Sequence, residues 1–230
     1  MEPKFKFHYT PIPQSREKWL QNRQVGIGGS EVGTVLGVNP YESSIKLFYR
    51  KLGIVPLEGE DNMAMFMGRF LEDKIAELWQ YYNLFEEDMI ENFNHDRKKK
   101  FCEKVNYTIK NNHYPHLLAN LDRMILPEGK YENAGYGVLE VKTIASYNAK
   151  QWEDGIPPYH LAQLQTYLII TEFEYGEIAM LVDGRKLEVF EFERDEYFIE
   201  EIIHKTALFW DKVERGRAIL ANKFITETER

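Results

Sequence analysis

Two apolar segments separated by a turn-rich loop constrain the fold of this 230-residue chain more than any other feature. The first segment covers 120–126 and the second covers 138–143. Apolar segments joined by turn residues predict two adjacent antiparallel strands connected by a long hairpin loop. Asp122 and Glu140 are equally far from the centre of that loop, so hairpin pairing predicts that the two carboxylates lie close together.

Within the second segment Glu140 and Lys142 share one face, because side chains alternate along a strand. Two carboxylates and an ammonium group are therefore expected to converge. Neighbouring carboxylates repel each other unless a divalent cation lies between them, and Mg²⁺ is typically held by one or two carboxylates, waters and phosphate oxygens. The pattern predicts a metal site for phosphodiester chemistry. The alternative is a set of solvated charges on an exposed strand face.

Asp122 and the tripeptide Glu140-Val141-Lys142 resemble the signature of the PD-(D/E)XK nucleases, in which an Asp strand is followed by a (D/E)-x-K strand. Leu121 stands where that superfamily has its usual Pro. The resemblance implies an α/β fold with a restriction-endonuclease-like core, in which α-helices flank a central mixed β-sheet.

Composition limits the classes of protein to which the chain can belong. Its formal net charge of −8 argues against a nonspecific polycation, so a nucleic-acid contact requires a local basic groove. The only cysteine, Cys102, excludes an internal disulfide and a four-cysteine cluster. Without an apolar run of membrane-spanning length or a signal-peptide core, we expect a cytoplasmic protein with no membrane contact. We also expect a single domain over 1–230, with an N-terminal helical segment at about 15–55 and a C-terminal hairpin plus helix at about 177–216.

A glycine-rich loop at 26–30 is predicted to lie between a first helix, which ends near Arg23, and a second helix, which runs to about Leu36 and is stopped by Gly37 and Pro40. Backbone N–H groups at a helix N-terminus bind anions, and Arg23 is placed to complete a phosphate cradle. The alternative is a tight interhelical turn in which Ser30 is the N-cap.

The seven-residue spacing of Arg23 and Ser30 resembles the opening of the lambda-type phage exonucleases, often called the YqaJ viral recombinase family. In that family an Arg and a helix-capping Ser contact the 5′-terminal phosphate. The run at 36–41 also resembles the family, and the resemblance covers about 23–171. It implies that Arg23 and Ser30 bind a 5′-phosphate.

A helix is predicted over 68–79 because Leu71, Ile75 and Leu78 recur at helical spacing. Glu72 falls inside the apolar arc, where a carboxylate is costly unless it is paired or bound to metal. The alternative is a boundary residue that reaches solvent or a nearby Arg. In the family, a glycine followed by a Glu on such a helix supplies an acidic metal ligand, and Gly68 and Glu72 match that pattern.

Another helix is predicted to begin at the proline pair 157–158. It resembles the family's A-Q-x-Q helix, which implies that Gln163 orients metal-bound water or phosphate. Related exonucleases often carry Tyr at the position of His160, and Tyr159 is adjacent, so either side chain is a candidate for DNA contact. The alternative is an amphipathic helix whose polar residues face solvent.

Three further segments are predicted to have no catalytic role. The basic run at 97–100 is read as a solvated loop, with contact to the phosphate backbone as the alternative. Asp183-Gly184 predicts a hairpin turn between two strands. The last helix is expected to cover 195–214 and to end at Gly216.

Taken together, the resemblance implies a 5′-to-3′ exonuclease on double-stranded DNA that depends on Mg²⁺, for which Mn²⁺ can substitute. The implied metal ligands are Glu72, Asp122, Glu140 and the carbonyl of Val141. Lys142 would orient or deprotonate the attacking water.

Family members work with a single-strand annealing protein in phage recombination and form ring-shaped homotrimers, so both are implied here, in the host cytoplasm. Two other functions remain open. A structure-specific or restriction-type endonuclease would use the same metal site, and a noncatalytic DNA-binding module is the second alternative.

Overall fold

The computed structural model of the chain describes residues 7–13, 15–56, 62–82, 86–145 and 155–228. The helices are α1 (Arg16–Asn22), α2 (Gly29–Leu36), α3 (Ser44–Lys51), α4 (Met63–Tyr81), α5 (Glu86–Asn94), α6 (Pro158–Thr171) and α7 (Glu196–Thr228). The strands are β1 (His8–Pro11), β2 (Ile27–Gly28), β3 (Cys102–Lys104), β4 (Tyr107–Lys110), β5 (Leu117–Leu118), β6 (Arg123–Ile125), β7 (Gly137–Ile144), β8 (Tyr175–Val182) and β9 (Lys186–Glu193). Within these ranges no helix combines the length and apolar character that crossing a bilayer requires.

The central sheet has five strands in the order β3-β6-β7-β8-β9. β7 and β8 run parallel, because helix α6 connects them, and the other neighbours are antiparallel. Two small two-stranded sheets, β1 with β4 and β2 with β5, lie outside it. The predicted α/β architecture with a central mixed sheet is confirmed.

Alternation along β7 divides the core into two clusters, one on each face of the sheet. Leu139 and Val141 pack with Ile75 and Trp79 of α4 on one face. Val138 belongs to the larger cluster on the other face, which includes side chains from α2, α6 and α7. Because side chains alternate, Glu140 and Lys142 project to the same face as Val138, toward α6.

The hairpin that was predicted around Asp122 and Glu140 is confirmed in its register. Arg123 pairs with Leu139, and the same register places Asp122 opposite Glu140. Strand β6 is shorter than the predicted segment and begins one residue after Asp122. The Asp122 carboxylate therefore lies just outside the hydrogen-bonded ladder.

The C-terminal helix does not end at Gly216, so that prediction was wrong. Helix α7 continues through this residue to Thr228. A β-carbon added at Gly216 would stand 3.0 Å from Leu52 and 3.2 Å from Phe48, so the glycine allows α3 and α7 to approach each other closely. Here tertiary packing, rather than a helix stop, explains the glycine.

Helix α6 begins at Pro158 as predicted, but it is not amphipathic. All residues from Ala162 to Thr171 are buried. This rules out the alternative in which Gln163 faces solvent. The predicted hairpin turn at Asp183-Gly184 is confirmed, since it joins β8 to β9.

Part of the basic run was interpreted incorrectly. Arg97, Lys98 and Lys99 are exposed, as a solvated loop requires, but Lys100 is completely buried. Its ammonium lies 2.8 Å from a carboxylate oxygen of Glu177, which is also fully buried. The fourth cation of the run therefore belongs to the protein interior.

Candidate active site

A cleft of about 710 Å³ lies where β7 meets the N-terminal turn of α2 and one side of α4. It is lined by eight of the ten residues that the sequence singled out: Arg23, Ser30, Glu72, Asp122, Glu140, Val141, Lys142 and Gln163. Tyr159 and His160 are not among its lining residues. The fold thus gathers segments that are far apart in sequence around one concave surface.

The carboxylate of Asp122 is held by the main chain of the neighbouring strand. Its Oδ2 accepts a hydrogen bond of 2.8 Å from the amide of Val141. Because the N–H and C=O of one strand residue point to the same side, the Val141 carbonyl also faces the side on which Asp122 lies. The β6–β7 ladder stops at Leu139, so no β6 residue pairs with Val141.

The carboxylate of Glu140 is buried and only half satisfied. Its Oε1 accepts from the Lys142 ammonium and, at 2.7 Å, from the side-chain amide of Gln163. Its Oε2 is also buried, and among the residues that the structure describes it has no hydrogen-bond partner. A buried carboxylate oxygen without a partner is costly unless a cation or donor satisfies it.

Burial and like charge act together on the two carboxyls. Burial, followed by the charge of Glu140, raises the pKa of Asp122 well above its usual range. Burial also raises the pKa of Glu140, although the Lys142 ammonium opposes this effect. Burial alone would lower the pKa of Lys142, but Glu140 and Asp122 raise it above its usual value. When both carboxyls are ionised, they and the one ammonium leave a net negative charge that a divalent cation would offset.

The donor set fits a hard cation such as Mg²⁺. In the described part of the chain, no three His, Cys, Asp or Glu side chains form a ready cluster. The unsatisfied Oε2 of Glu140, the Asp122 carboxylate and the Val141 carbonyl are oxygen donors of the kind that Mg²⁺ prefers. The remaining positions around such an ion are normally taken by water and phosphate oxygens.

Glu72 is less buried than its position on the helical wheel indicated. Its side chain is 24% exposed, and its carboxylate accepts a 2.7 Å hydrogen bond from Arg123, which also pairs with Asp73. This is the alternative in which a nearby Arg satisfies the charge. Glu72 lines the cleft, so its role as a metal ligand stays a prediction.

Gln163 belongs to helix α6 and connects this helix to Glu140 and Lys142. Its amide nitrogen donates to Glu140 and, at 3.0 Å, to the hydroxyl of Tyr167. Its amide oxygen accepts from Lys142 at 3.2 Å. The side chain is 7% exposed, so it is positioned by contacts on three sides.

Tyr159 and His160 are partly buried and do not line the cleft. Tyr159 packs against Gly33 and Tyr41, with 6.0 Å between the two tyrosine ring centroids. Burial, with a smaller effect of the Lys142 charge, lowers the pKa of His160 to about 3. His160 is therefore neutral at physiological pH, and contact of either side chain with DNA stays a prediction.

Arg23 and Ser30 lie together, as a phosphate cradle would require, but the helix cap differs from the prediction. Gly28, not Ser30, is the N-cap of α2, and Ser30 is the second residue of that helix. The Arg23 guanidinium donates to the Ser30 hydroxyl at 3.0 Å and lies 4.9 Å from the centroid of the Trp19 ring. Arg23 and Ser30 thus form one polar patch on the cleft wall.

Sequence reasoning missed two buried charged residues beside this patch. Glu31 follows Ser30 and accepts from the Gly28 amide at 2.8 Å. Lys51, from α3, lies 2.7 Å from the same carboxylate oxygen. A Glu three residues after a helix N-cap is the pattern of a capping box, and it is the signal that would have identified Glu31.

Comparison with solved structures shows a shared fold. The alkaline exonuclease LHK-Exo from Laribacter hongkongensis matches with a TM-score of 0.69 at 19% identity, covering 91% of this chain and 98% of that one. A phage-related exonuclease from Haemophilus somnus 129PT matches with a TM-score of 0.53 at 10% identity, covering 86% and 98%. Both proteins share the arrangement of helices around a mixed sheet.

Comparison of sequences identifies the family. The sequence profile of the YqaJ-like viral recombinase domain matches residues 18–174. Protein YqaJ of Bacillus subtilis (strain 168) is 35% identical over 208 residues, which cover 89% of this chain. The chain spans only 58% of the length of that relative. This chain belongs to the family of YqaJ-like viral recombinase domains.

Proposed function

We propose that the chain is a Mg²⁺-dependent exonuclease that digests double-stranded DNA from its 5′ ends. The observation that carries this proposal is that one cleft contains both the Arg23–Ser30 patch and the group formed by Asp122, Glu140 and Lys142. A terminal phosphate and a scissile phosphodiester would then be held by the same molecule at the same time. Family membership and the likeness to LHK-Exo, an alkaline exonuclease, support the same reaction class.

The proposed chemistry assigns each group a separate task. Asp122, Glu140 and the Val141 carbonyl would hold Mg²⁺, for which Mn²⁺ can substitute, and such an ion offsets the charge that develops on the reacting phosphate. Lys142 would orient the attacking water, since its ammonium is fixed beside Glu140 and Gln163. Gln163 would hold the Glu140 carboxylate in place through its amide nitrogen.

End recognition would come from the polar patch. A terminal phosphate carries more negative charge than an internal phosphodiester, so a guanidinium beside a helix N-terminus favours it. Arg23 presents that charge at the cleft wall, and its side chain is only 16% exposed. A largely buried cation gains more from binding an anion than a fully solvated one does.

The biological setting that we propose is phage-type homologous recombination in the host cytoplasm. There the exonuclease would expose single strands for an annealing protein and would act as a ring-shaped homotrimer around duplex DNA. An acidic protomer with a net charge of −8 is compatible with a ring whose cations face a central channel. Light scattering that shows a monomer at working concentration, with distributive digestion of long duplex, would remove the ring from this proposal.

The decisive experiment compares three DNA substrates under identical conditions. Initial rates would be measured on 5′-phosphorylated linear duplex, on the matched 5′-hydroxyl duplex and on closed circular DNA, with Mg²⁺ and with EDTA. We expect fast digestion of the 5′-phosphorylated duplex, slower digestion of the 5′-hydroxyl duplex, and no cleavage of the circle or in EDTA. Cleavage of the closed circle at a comparable rate would replace the exonuclease proposal by an endonuclease, and no cleavage of any substrate would favour a DNA-binding module.

A further inference from the structure

Glu31 is a buried carboxylate in the first turn of α2 for which the proposed chemistry has no use. One oxygen accepts from the Gly28 amide at 2.8 Å and from the Lys51 ammonium at 2.7 Å. The other oxygen lies 3.5 Å from the Arg23 guanidinium. The carboxylate therefore contacts both the main chain and the cation of the proposed phosphate patch.

Lys51 connects the patch to helix α3. Its ammonium also donates to the backbone carbonyl of Arg23 at 2.6 Å, and its side chain is 1% exposed. Glu31 and Lys51 together hold the side chain, the backbone and the helix cap around Arg23. The Trp19 ring lies beside the guanidinium as a further contact.

The formal charges of the side chains around Arg23 indicate which kind of ligand this cluster would attract. Arg23, Arg50 and Lys51 supply three positive charges, and Glu31 with Glu42 supplies two negative ones. The sum is one positive charge. Of these five side chains only Arg23 lines the cleft, so the excess charge is presented there.

We propose that Glu31, held by Lys51, is the positioning residue of the 5′-phosphate pocket. It fixes the Arg23 guanidinium and the Gly28 amide before DNA arrives, so that discrimination between phosphorylated and unphosphorylated ends depends on a carboxylate that does not touch DNA. A preorganised cation loses less side-chain entropy on binding than a mobile one, and this saving applies only to substrates that contact it. The proposal rests on the proposed function, because it assumes that Arg23 binds the terminal phosphate.

The chain contains a matched control for a purely structural effect. Lys100 and Glu177 form another buried lysine–glutamate ion pair, with 2.8 Å between nitrogen and oxygen. Glu177 also accepts from Trp79, on the face of the sheet that carries α4. Neither Lys100 nor Glu177 lines the cleft. Removing the Glu177 carboxylate also leaves a buried ammonium without its carboxylate partner, but the change lies outside the proposed pocket.

The test compares Glu31→Gln with Glu177→Gln. For each variant the ratio of initial rates on 5′-phosphate and 5′-hydroxyl duplex is measured, together with the melting temperature and the binding of both duplexes in Ca²⁺. We expect Glu31→Gln to reduce the wild-type ratio by about ten-fold, in line with one charge-assisted hydrogen bond. We expect Glu177→Gln to lower the melting temperature and to leave the ratio within about two-fold of wild type.

The rate ratio compares two substrates on the same folded fraction, so partial unfolding of a variant cancels. If Glu31→Gln does not fold, Lys51→Gln carries the same expectation, since it removes the charge that holds Glu31. A wild-type enzyme that does not distinguish the two ends would remove the proposed end recognition itself. If Glu31→Gln or Lys51→Gln keeps the wild-type preference for 5′-phosphorylated ends, the positioning role of Glu31 is overturned but the proposed end recognition is not.

Discussion

The ring of Tyr167 lies against the α-carbon of Gly29 so closely that a β-carbon at residue 29 would stand 2.9 Å from Cζ and nearer still to Cε1. The Tyr167 hydroxyl accepts from Gln163, and Gln163 donates to Glu140. A continuous chain of contacts therefore runs from the glycine-rich loop, beside the proposed phosphate pocket, to the carboxylates. We therefore expect a substitution in the loop to displace Tyr167 and, through Gln163, the Glu140 carboxylate of the proposed metal site.

Gly29→Ala tests this packing directly. The added methyl group overlaps the Tyr167 ring, and overpacking of this kind costs about 1–3 kcal/mol of unfolding free energy. Urea titration measures this loss of unfolding free energy. Gly68→Ala is the matched control, because among the described residues its β-carbon would meet only Thr143 Oγ1, at 3.6 Å, and because alanine favours a helix interior. Equal stability of the two variants would contradict the close contact.

Asp122→Asn and Glu140→Gln are expected to abolish Mg²⁺-dependent cleavage. Each removes one negative charge from the proposed metal site while nearly preserving the side-chain shape. Binding of duplex DNA in Ca²⁺ should survive, because phosphate contacts elsewhere in the cleft remain. Cleavage assays with a gel-shift control measure both effects. Digestion near the wild-type rate in either variant would refute the assignment of that carboxylate.

Gln163→Leu is expected to weaken the response to Mg²⁺ rather than to remove it. The substitution deletes the hydrogen bond that orients the Glu140 carboxylate, and loss of such a supporting contact typically costs about 10–100-fold in metal affinity or activity. Initial rates across a Mg²⁺ titration measure the change in the Mg²⁺ concentration that gives half of the maximal rate. An unchanged titration curve would mean that Lys142 alone positions Glu140.

Arg23→Ala should discriminate between DNA ends. Loss of one charged hydrogen-bond partner is expected to raise the activation free energy of digestion by about 1.5–3 kcal/mol on 5′-phosphorylated duplex and by much less on 5′-hydroxyl duplex. Arg97→Ala, an exposed arginine outside the cleft, is the control. Equal slowing on both linear substrates would indicate that the loop at 26–30 only begins a helix.

The buried ammonium of Lys51 gives a prediction for stability at alkaline pH. Burial lowers the pKa of Lys51 to about 8, although Glu31 opposes the shift. Between about pH 8 and the ordinary lysine pKa, the unfolded chain binds the proton that the folded chain has released, so this group's contribution to stability rises with pH. Urea titrations at pH 7 and pH 9.5 should show that the difference between wild type and Lys51→Met moves in favour of wild type at the higher pH. A constant difference would contradict the shift.

The parts of the fold that were predicted correctly depend on neighbours in sequence. The register of Asp122 against Glu140 follows from a hairpin whose arms are equally far from its loop. The start of α6 follows from proline geometry at residue 158. In both cases the deciding interactions are local or nearly local, and the sequence pattern contains them.

The parts that were missed depend on contacts between distant segments. Gly216 resembles a helix stop until α3 is known to pack against it. Lys100 resembles the exposed cations beside it until Glu177, 77 residues away, is placed next to it. The burial of Glu31 depends on Lys51 in the same way. A one-dimensional pattern does not record which helix face another element will cover.

Strand β6 has three residues, and its shortness leaves Val141 without a partner strand on that side. One more ladder rung would use the Val141 amide and carbonyl for sheet hydrogen bonds, and the Asp122 carboxylate would lose the donor that now orients it. At this corner the sheet therefore lacks one pair of inter-strand hydrogen bonds, and the Val141 carbonyl and the Asp122 carboxylate remain outside the β6–β7 ladder. If those atoms hold a cation, ligand binding and the final tightening of the sheet become a single linked equilibrium.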